Sequence, residues 1–246
     1  MKLVADLHIH TVASGHAFST IQEMAQAAAE KGLKILGFTE HGPTLPGGPH
    51  IYFFYNLRIV PTEMYGVEIL RGVEANIVDK EGNLDLPTEI LDHLDLIWAG
   101  FHLYQSPPWS REENTKALIK ALNNPYVDGI VHPGNPEFPI DAEAIVQAVK
   151  ETGKVLEINN SSTLSRKGSH ENCLKIACLA KEMGAKVMVN SDAHISYDIG
   201  RCDRVLSLVE EAGLQDRDIL NTSIERIKDF LAWRKKEREK LLGPII

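Results

Sequence analysis

Seven of the ten histidines, His8, His10, His16, His41, His102, His132 and His194, stand together with Glu74 and Asp192 at or just past the ends of strand-like runs. Imidazoles and carboxylates are the side chains that ligate divalent cations, and packing gives no reason to place them repeatedly where strands stop. In Asp6-Leu7-His8-Ile9-His10 the two-residue period of a strand sets Asp6, His8 and His10 on one face and Leu7 and Ile9 on the other, so two imidazoles share one space. An HxH pair alone arises easily on any polar strand face. The same spacing recurs in Asn190-Ser191-Asp192-Ala193-His194, with a carboxylate in place of the first imidazole. Between them, Glu40-His41 closes the second run, Glu74 the third, His102 the fourth and His132 the fifth. A solitary histidine after an apolar run is more often a hydrogen-bonded loop or core residue than a ligand. It is the equivalent placement on successive strands that makes these residues a candidate site. His50, His93 and His170 lie in an aromatic segment, before a strand and at a helix start, and are left outside it.

Such a set exceeds the roughly four to six ligands that one ion takes, so about two or three ions are implied. Glu74 is the bridging candidate, because it is the carboxylate among the mid-chain strand ends and its two oxygens can join two cations. A bridged pair of ions acidifies a shared water near neutral pH and polarises a substrate oxygen.

Strand-like runs at residues 2–8, 34–39, 67–73, 95–101, 127–131, 154–158 and 186–190 must carry these donors. Helical patterns separate them, such as Ser19 to Gly32 with apolar Ile21, Met24, Ala25 and Ala28, and Ile140 to Gly153 with Ala144, Ile145 and Val149. Both end at a glycine suited to a left-handed cap. Alternating strands and helices give an α/β class with a mainly parallel sheet. Ligands at the ends of the first, third, fifth and last strands converge only if that sheet curls into a barrel, with the site at the C-terminal strand ends.

With 246 residues, 43% of them hydrophobic, the chain is expected to form one domain over 1–246. A net charge of −8 argues against nucleic acid as a partner and leaves a small anionic substrate dependent on local positive charge. The N-terminal run is too polar for a signal peptide and no stretch reaches membrane-spanning length, so a soluble, cytoplasmic protein is expected. Cys173, Cys178 and Cys202 lack metal-site spacing and read as reduced thiols. The terminal helix, about 223–242, reads as a mixed-charge solvated face packed on or extending from the barrel. The aromatic, glycine-punctuated segment 42–60 reads as a lid over the site or as an irregular packed loop, the lid favoured because it follows His41 directly.

The ordered motifs HxH (His8, His10), EH (Glu40-His41), strand-end Glu74, His102, His132 and closing DxH (Asp192, His194) resemble those of the PHP family, named for polymerase and histidinol phosphatase. NLRI at 56–59, RGVEANI at 71–77, HPGNP at 132–136 and EINNSS at 157–162 are similar to its YcdX-type phosphatase branch. The resemblance spans nearly the whole chain and no ligand position of the family pattern is missing. It implies a distorted seven-stranded (β/α) TIM-like barrel with a trinuclear metal site, usually zinc, with manganese or iron as alternatives. Carried over, one ion takes His8, His10, Glu74 and Asp192, a second takes Glu74, His102 and His132, and a third takes His16, His41 and His194. The activity implied is phosphatase action on a small phosphate monoester through a metal-bridging hydroxide, with Glu74, Asp192 and His194 nearest the reaction. Arg166 and Arg201 are candidate phosphate clamps, each as readily a surface ion-pair residue. Asp6 either orients a ligand histidine or caps the strand. The competing readings are an amidohydrolase or deaminase, which needs fewer ligands, a nuclease, which the acidic balance disfavours, and a metal-binding protein without turnover, which the complete ligand set disfavours. Homo-oligomerisation and the physiological substrate stay open.

Overall fold

The computed structural model describes residues 1–105 and 109–243. Its elements run β1 (Ala5–Ile9), α1 (Ile21–Glu30), β2 (Ile35–His41), α2 (Ile51–Asn56), β3 (Glu63–Met64), β4 (Val67–Asn76), α3 (Thr88–Leu91), β5 (Leu96–Gly100) and α4 (Arg111–Asn123). They continue with β6 (Gly129–Ile130), α5 (Ala142–Thr152), β7 (Val155–Asn159), α6 (Ser162–Ser165), α7 (Ser169–Met183), β8 (Lys186–Asn190), α8 (Leu206–Glu211) and α9 (Ile224–Leu242). Seven parallel strands follow the order β1-β2-β4-β5-β6-β7-β8, and the two-residue β3 adds an antiparallel flap to the start of β4. The two patterned helices start on polar caps, Thr20 with a reciprocal Glu23 bond for α1 and Asp141 for α5. Gly153 ends α5 in the left-handed conformation its spacing predicts.

Alternation along the strands divides the apolar residues into two layers. Ala5, Leu7, Ile35, Leu70, Leu96, Trp98, Val131, Val155 and Met188 form an inner cluster, and a larger cluster between strands and helices surrounds it. The inner space is tight: a β-carbon on Gly37 or Gly72 would lie 2.8 Å from Leu96 Cδ1 or 2.9 Å from Leu96 Cβ. Trp98 crosses this space and donates its indole N–H to the Leu7 carbonyl at 2.7 Å.

The sheet curls until β8 returns to β1. At the C-terminal end His10 N–H donates to Ala193 O at 2.9 Å and Asp192 N–H to His8 O at 3.1 Å. Lower down the strands diverge and the buried Asn221 carboxamide stands between them. It accepts from Val189 N–H at 3.0 Å and donates to Ala5 O at 3.0 Å and Val189 O at 2.6 Å, replacing the peptide of a missing neighbour.

Strict alternation in Asp6–His10 does not hold. Asp6 pairs with Leu36 but Ile9 pairs with Phe38, so β1 carries one residue more than β2 over this stretch. A bulge of this kind re-aims side chains. Leu7 joins the inner cluster, His8 and His10 turn to the barrel mouth, and Asp6 is left on the other side, where it accepts from Ser191 Oγ at 2.5 Å and Gly200 N at 2.8 Å.

Helix α9 lies across the N-terminal end of the barrel, its Ile227 and Phe230 completing the inner cluster. Its charged face is only partly solvated. Arg234 and Arg238 are buried, Arg234 Nε donating to Asp128 Oδ1 at 3.0 Å. Lys154 is buried beside them, donating to the carbonyls of Leu122 and Asn124 at the end of α4. Burial first, then the Arg234 and Arg238 charges, push the Lys154 ammonium down to about 7 from an ordinary 10.5. Above pH 7 the folded state sheds this proton while the unfolded chain keeps it, so the penalty is complete below 7 and is relieved as pH rises toward the unfolded value. Urea unfolding at pH 6.5 and 9 should therefore show a gain in stability with pH that is smaller in Lys154→Met; identical pH slopes would refute the assignment.

The segment 42–60 is exposed or half-buried over most of its length and anchored at a few buried residues. Leu45 and Pro46 reach the cavity above the site, whereas α2 and the following turn bury Phe54 and Leu57 in the core. Anchors of that kind leave Leu45 and Pro46 as wall residues rather than parts of a hinged cover.

Candidate metal centre

All nine strand-end donors converge at the C-terminal mouth. His8 Nε2 and His10 Nε2 are 3.1 Å apart and lie 3.3 and 3.4 Å from Glu74 Oε2. Asp192 Oδ1 is 3.2 Å from His10 Nε2. The second Glu74 oxygen, Oε1, faces His102 Nε2 at 3.0 Å and His132 Nε2 at 2.5 Å. His16 Nε2 and His194 Nε2 are 3.0 Å apart, and the His16 and His41 rings stack with centroids at 5.0 Å. His41 Nδ1 lies 2.7 Å from Glu74 Oε2, so His41 stands between the first and third groups. Candidate ligand atoms of His10, His41 and His194 also fall within 4.8 Å of one another.

These atoms are a poor hydrogen-bonding arrangement and a good ligating one. Glu74 Oε2 and His41 Nδ1 lie 2.7 Å apart without hydrogen-bond alignment, and neither they nor the buried His10 Nδ1 has a well-aligned hydrogen-bond partner. An unsatisfied buried carboxylate oxygen costs several kcal/mol, whereas a cation among converging lone pairs removes the conflict. Imidazole and carboxylate without thiolate suit a borderline divalent ion such as zinc or manganese. Protonation agrees. Burial raises the Glu74 carboxyl, but His102, His8, His41 and His132 outweigh it and hold it well below its ordinary range. Asp192 is likewise held down, chiefly by His8 and its bond to His10, against burial. Burial lowers His10, with His41 and His194 adding to the effect, and burial drives His41 and His132 down to about 4. Near neutral pH His10, His41 and His132 are therefore neutral and offer free lone pairs, whereas His8, held up by Glu157, Glu74 and Asp192, must give up a proton to ligate.

His132 and Asp192 have φ of 34° and 55°, and are two of the non-glycine residues at positive φ among the described residues. Each such conformation costs on the order of 1–3 kcal/mol and persists only where its surroundings enforce it. Here His132 N–H is held by Glu157 Oε2 at 2.9 Å, and Asp192 N–H by the seam bond to His8 O.

The sequence reading missed the residues that aim the ligands. Glu157 Oε1 receives His8 Nδ1 at 2.7 Å and Asn190 Nδ2 at 2.9 Å, fixing the His8 tautomer with Nε2 toward Glu74. Glu157, Glu74 and Asp192 outweigh burial and hold His8 well above its ordinary value. A carboxylate inside the apolar strand Val155-Leu156-Glu157-Ile158 was the available signal. Asn76 Oδ1 holds His102 Nδ1 at 2.7 Å, and Asp85 Oδ2 fixes that amide through Asn76 Nδ2 at 2.6 Å. Glu40 is not aimed at the mouth; it accepts from Thr11 Oγ1 at 2.5 Å and Ser14 Oγ at 2.6 Å, pinning the turn that leads to His16. Glu157→Gln is expected to weaken the affinity of the His8 ion by about 10- to 100-fold in chelator competition; an unchanged affinity would show that Glu157 serves the fold alone.

Asp6 holds backbone rather than a ligand. It bonds Ser191 and Gly200 and makes no hydrogen bond to His8. Arg166 is at the site: Nη1 donates to Ser162 Oγ at 3.2 Å, Nη2 lies 3.5 Å from Asp192 Oδ2, and the side chain lines the cavity. Arg201 is not among the lining residues. Its guanidinium is forked between Asp198 at 2.7 Å and Asp203 at 3.0 Å on the exposed side of the loop. His50 caps α2 through Nδ1 and His93 faces Tyr55, both away from the donor cluster. The three cysteines are unpaired thiols.

A curled parallel barrel with clustered imidazole and carboxylate donors at its C-terminal mouth defines a class, the barrels with candidate metal-binding groups at their strand ends. Within it, the PHP domain model matches residues 6–135, more than half of the chain, and the chain belongs to the PHP family. A probable phosphatase of Acetivibrio thermocellus is 50% identical over 238 residues, 97% of this chain and 98% of that one. A probable phosphatase of Caldanaerobacter subterraneus subsp. tengcongensis is 53% identical, covering 96% and 94%. Among solved structures, a histidinol phosphate phosphatase from Lactococcus lactis, complexed with zinc, L-histidinol and phosphate, superposes with a TM-score of 0.61 at 17% identity, over 87% of this chain and 95% of that one. At that identity the likeness speaks for the fold. No helix among the described residues is long and apolar enough to cross a membrane.

Proposed function

We propose that this protein is a phosphatase acting on small phosphate monoesters with three divalent ions, zinc the first candidate. The reading rests above all on one observation: a fully buried Glu74 whose two oxygens are ringed by five histidines within 3.4 Å, beside a cavity that Arg166 lines. His8, His10, Glu74 and Asp192 would hold one ion, Glu74, His102 and His132 a second, and His16, His41 and His194 a third. The names of the relatives, and the zinc and phosphate bound by the Lactococcus lactis neighbour, support the same assignment. Bound there, the ions supply Lewis acidity toward phosphoryl oxygens and a water acidic enough to attack phosphorus near neutral pH.

The chain's own groups do the rest. Glu74 would offer one oxygen to the His8, His10 and His41 group and the other to the His102 and His132 group. Arg166, with Asp192 offsetting part of its charge, turns a guanidinium toward a phosphoryl oxygen. His194 directs Nδ1 at the Asp192 carbonyl, 3.0 Å away, and leaves Nε2 on the cavity side beside His16. We propose one catalytic unit over 1–246, cytoplasmic, acting on small molecules; the charge of −8 disfavours a nucleic-acid track.

Metal-replete protein assayed on p-nitrophenyl phosphate, bis-p-nitrophenyl phosphate, single-stranded DNA and an anilide tests the reading. Hydrolysis of the monoester well above the others is the expected result. Rapid cleavage of the diester, DNA or the anilide without monoester turnover would replace it with a phosphodiesterase, nuclease or amidohydrolase.

A further inference from the structure

Above the donor cluster lies a cavity of about 710 Å³, large enough for a substrate body well beyond the phosphate. Its floor is His41, His102, His194, Asp192 and Arg166. Its walls are different in kind. Leu45, Pro46, Phe101, Leu103, Tyr104 and Leu164 form an apolar collar. Leu103, Tyr104 and Leu164 are 44%, 91% and 70% exposed, a set of large apolar side chains held open to water around one mouth. Tyr104 also sits at φ 68°, a conformation that a non-glycine residue keeps only under constraint. Two wall hydroxyls spend their protons locally: Ser161 Oγ donates to Ser191 O at 2.9 Å and Ser165 Oγ to Ser161 O at 2.9 Å. Asn135 Oδ1 already accepts from Glu137 N–H at 3.2 Å.

We infer that the preferred substrate carries its single phosphate on an apolar, ring-bearing alcohol, with the collar of Leu103, Tyr104 and Leu164 holding the ring while the donor cluster and Arg166 hold the phosphate. The inference rests on the phosphatase reading and adds the class of leaving group to it. A polyhydroxylated body, as in a sugar phosphate, would set several of its hydroxyls against the carbon of the collar, which a hydrophobic wall penalises. Glu137 on the same wall repels a second phosphate, so bisphosphates and nucleoside di- and triphosphates fit poorly. Burying one ring against the collar is worth roughly a 10- to 100-fold gain in affinity.

The test uses metal-replete protein with two esters, 1-naphthyl phosphate and glycerol 2-phosphate, and two non-hydrolysable probes, phenylphosphonate and methylphosphonate. The aryl ester should show a KM at least about tenfold lower, and phenylphosphonate should bind at least about tenfold more tightly in calorimetry. In Leu164→Asn and Leu103→Asn, both at exposed positions, these ratios should fall toward one. Equal KM values with equal phosphonate affinities would overturn the inference while leaving the phosphatase reading intact, and so would ratios that survive both substitutions. If neither ester is hydrolysed the phosphatase reading fails, and the phosphonate ratio still decides whether the collar selects an aryl group.

Discussion

Replacing Glu74 by Gln is expected to lower p-nitrophenyl phosphate turnover by at least about 10³-fold, some 4 kcal/mol of transition-state stabilisation, with far-UV circular dichroism unchanged. The geometry sets this scale. One oxygen faces His8, His10 and His41 within 3.4 Å and the other faces His102 and His132 within 3.0 Å, so a single side chain belongs to two groups of ligands. An amide keeps the shape but loses the charge, and its NH₂ end turns a donor toward lone pairs that need a cation. Elemental analysis of the variant should therefore find two ions diminished together. His194→Ala removes a donor whose Nε2 meets His16 beside the His10–His41 edge of the cluster, away from Glu74, and should diminish one. Equal losses in the two variants would refute the bridging role.

Asn221→Leu should cost the fold about 4 kcal/mol or more, read as a fall in the urea midpoint at constant slope. Seven strands leave a seam that direct ladder bonds close only at the mouth, and the Asn221 carboxamide closes it below. Leucine fills the volume but strands Val189 N–H and the carbonyls of Ala5 and Val189, each worth roughly 1–3 kcal/mol when buried unpaired. Because the same seam sets His8 opposite Asp192, the variant should also release metal at lower chelator concentration. A loss under about 1 kcal/mol would mean that the seam holds without this side chain.

The donors were legible in the sequence because strand ends are legible: an apolar run followed by His, Glu or Asp marks a position in a parallel barrel without any knowledge of contacts. The seven strands could be counted from their apolar runs, and the barrel followed from the need for their ends to meet. What escaped was whatever depended on one residue more or less. The β1 bulge shifts Asp6 off the face of His8 and His10, and no period in Asp6–His10 announces it. Glu157 was quoted among the similar segments, yet its role needs the knowledge that β7 lies beside both β6 and β8 and faces His8 on β1. Arg166 and Arg201 were equal candidates on paper. The turn after β7 brings Arg166 over Asp192, while Asp198 and Asp203, three residues before and two after Arg201, capture its guanidinium locally. In α9 the alternating charges masked Arg234 and Arg238, which reach a buried Asp128 more than 100 positions away.

The account turns on how many ions the nine donors hold, and elemental analysis of protein purified without chelator measures that directly. It should find close to three divalent ions per chain, with chelation removing them and p-nitrophenyl phosphate turnover together and re-addition restoring both. One ion or fewer per chain, or turnover that survives their complete removal, would contradict it.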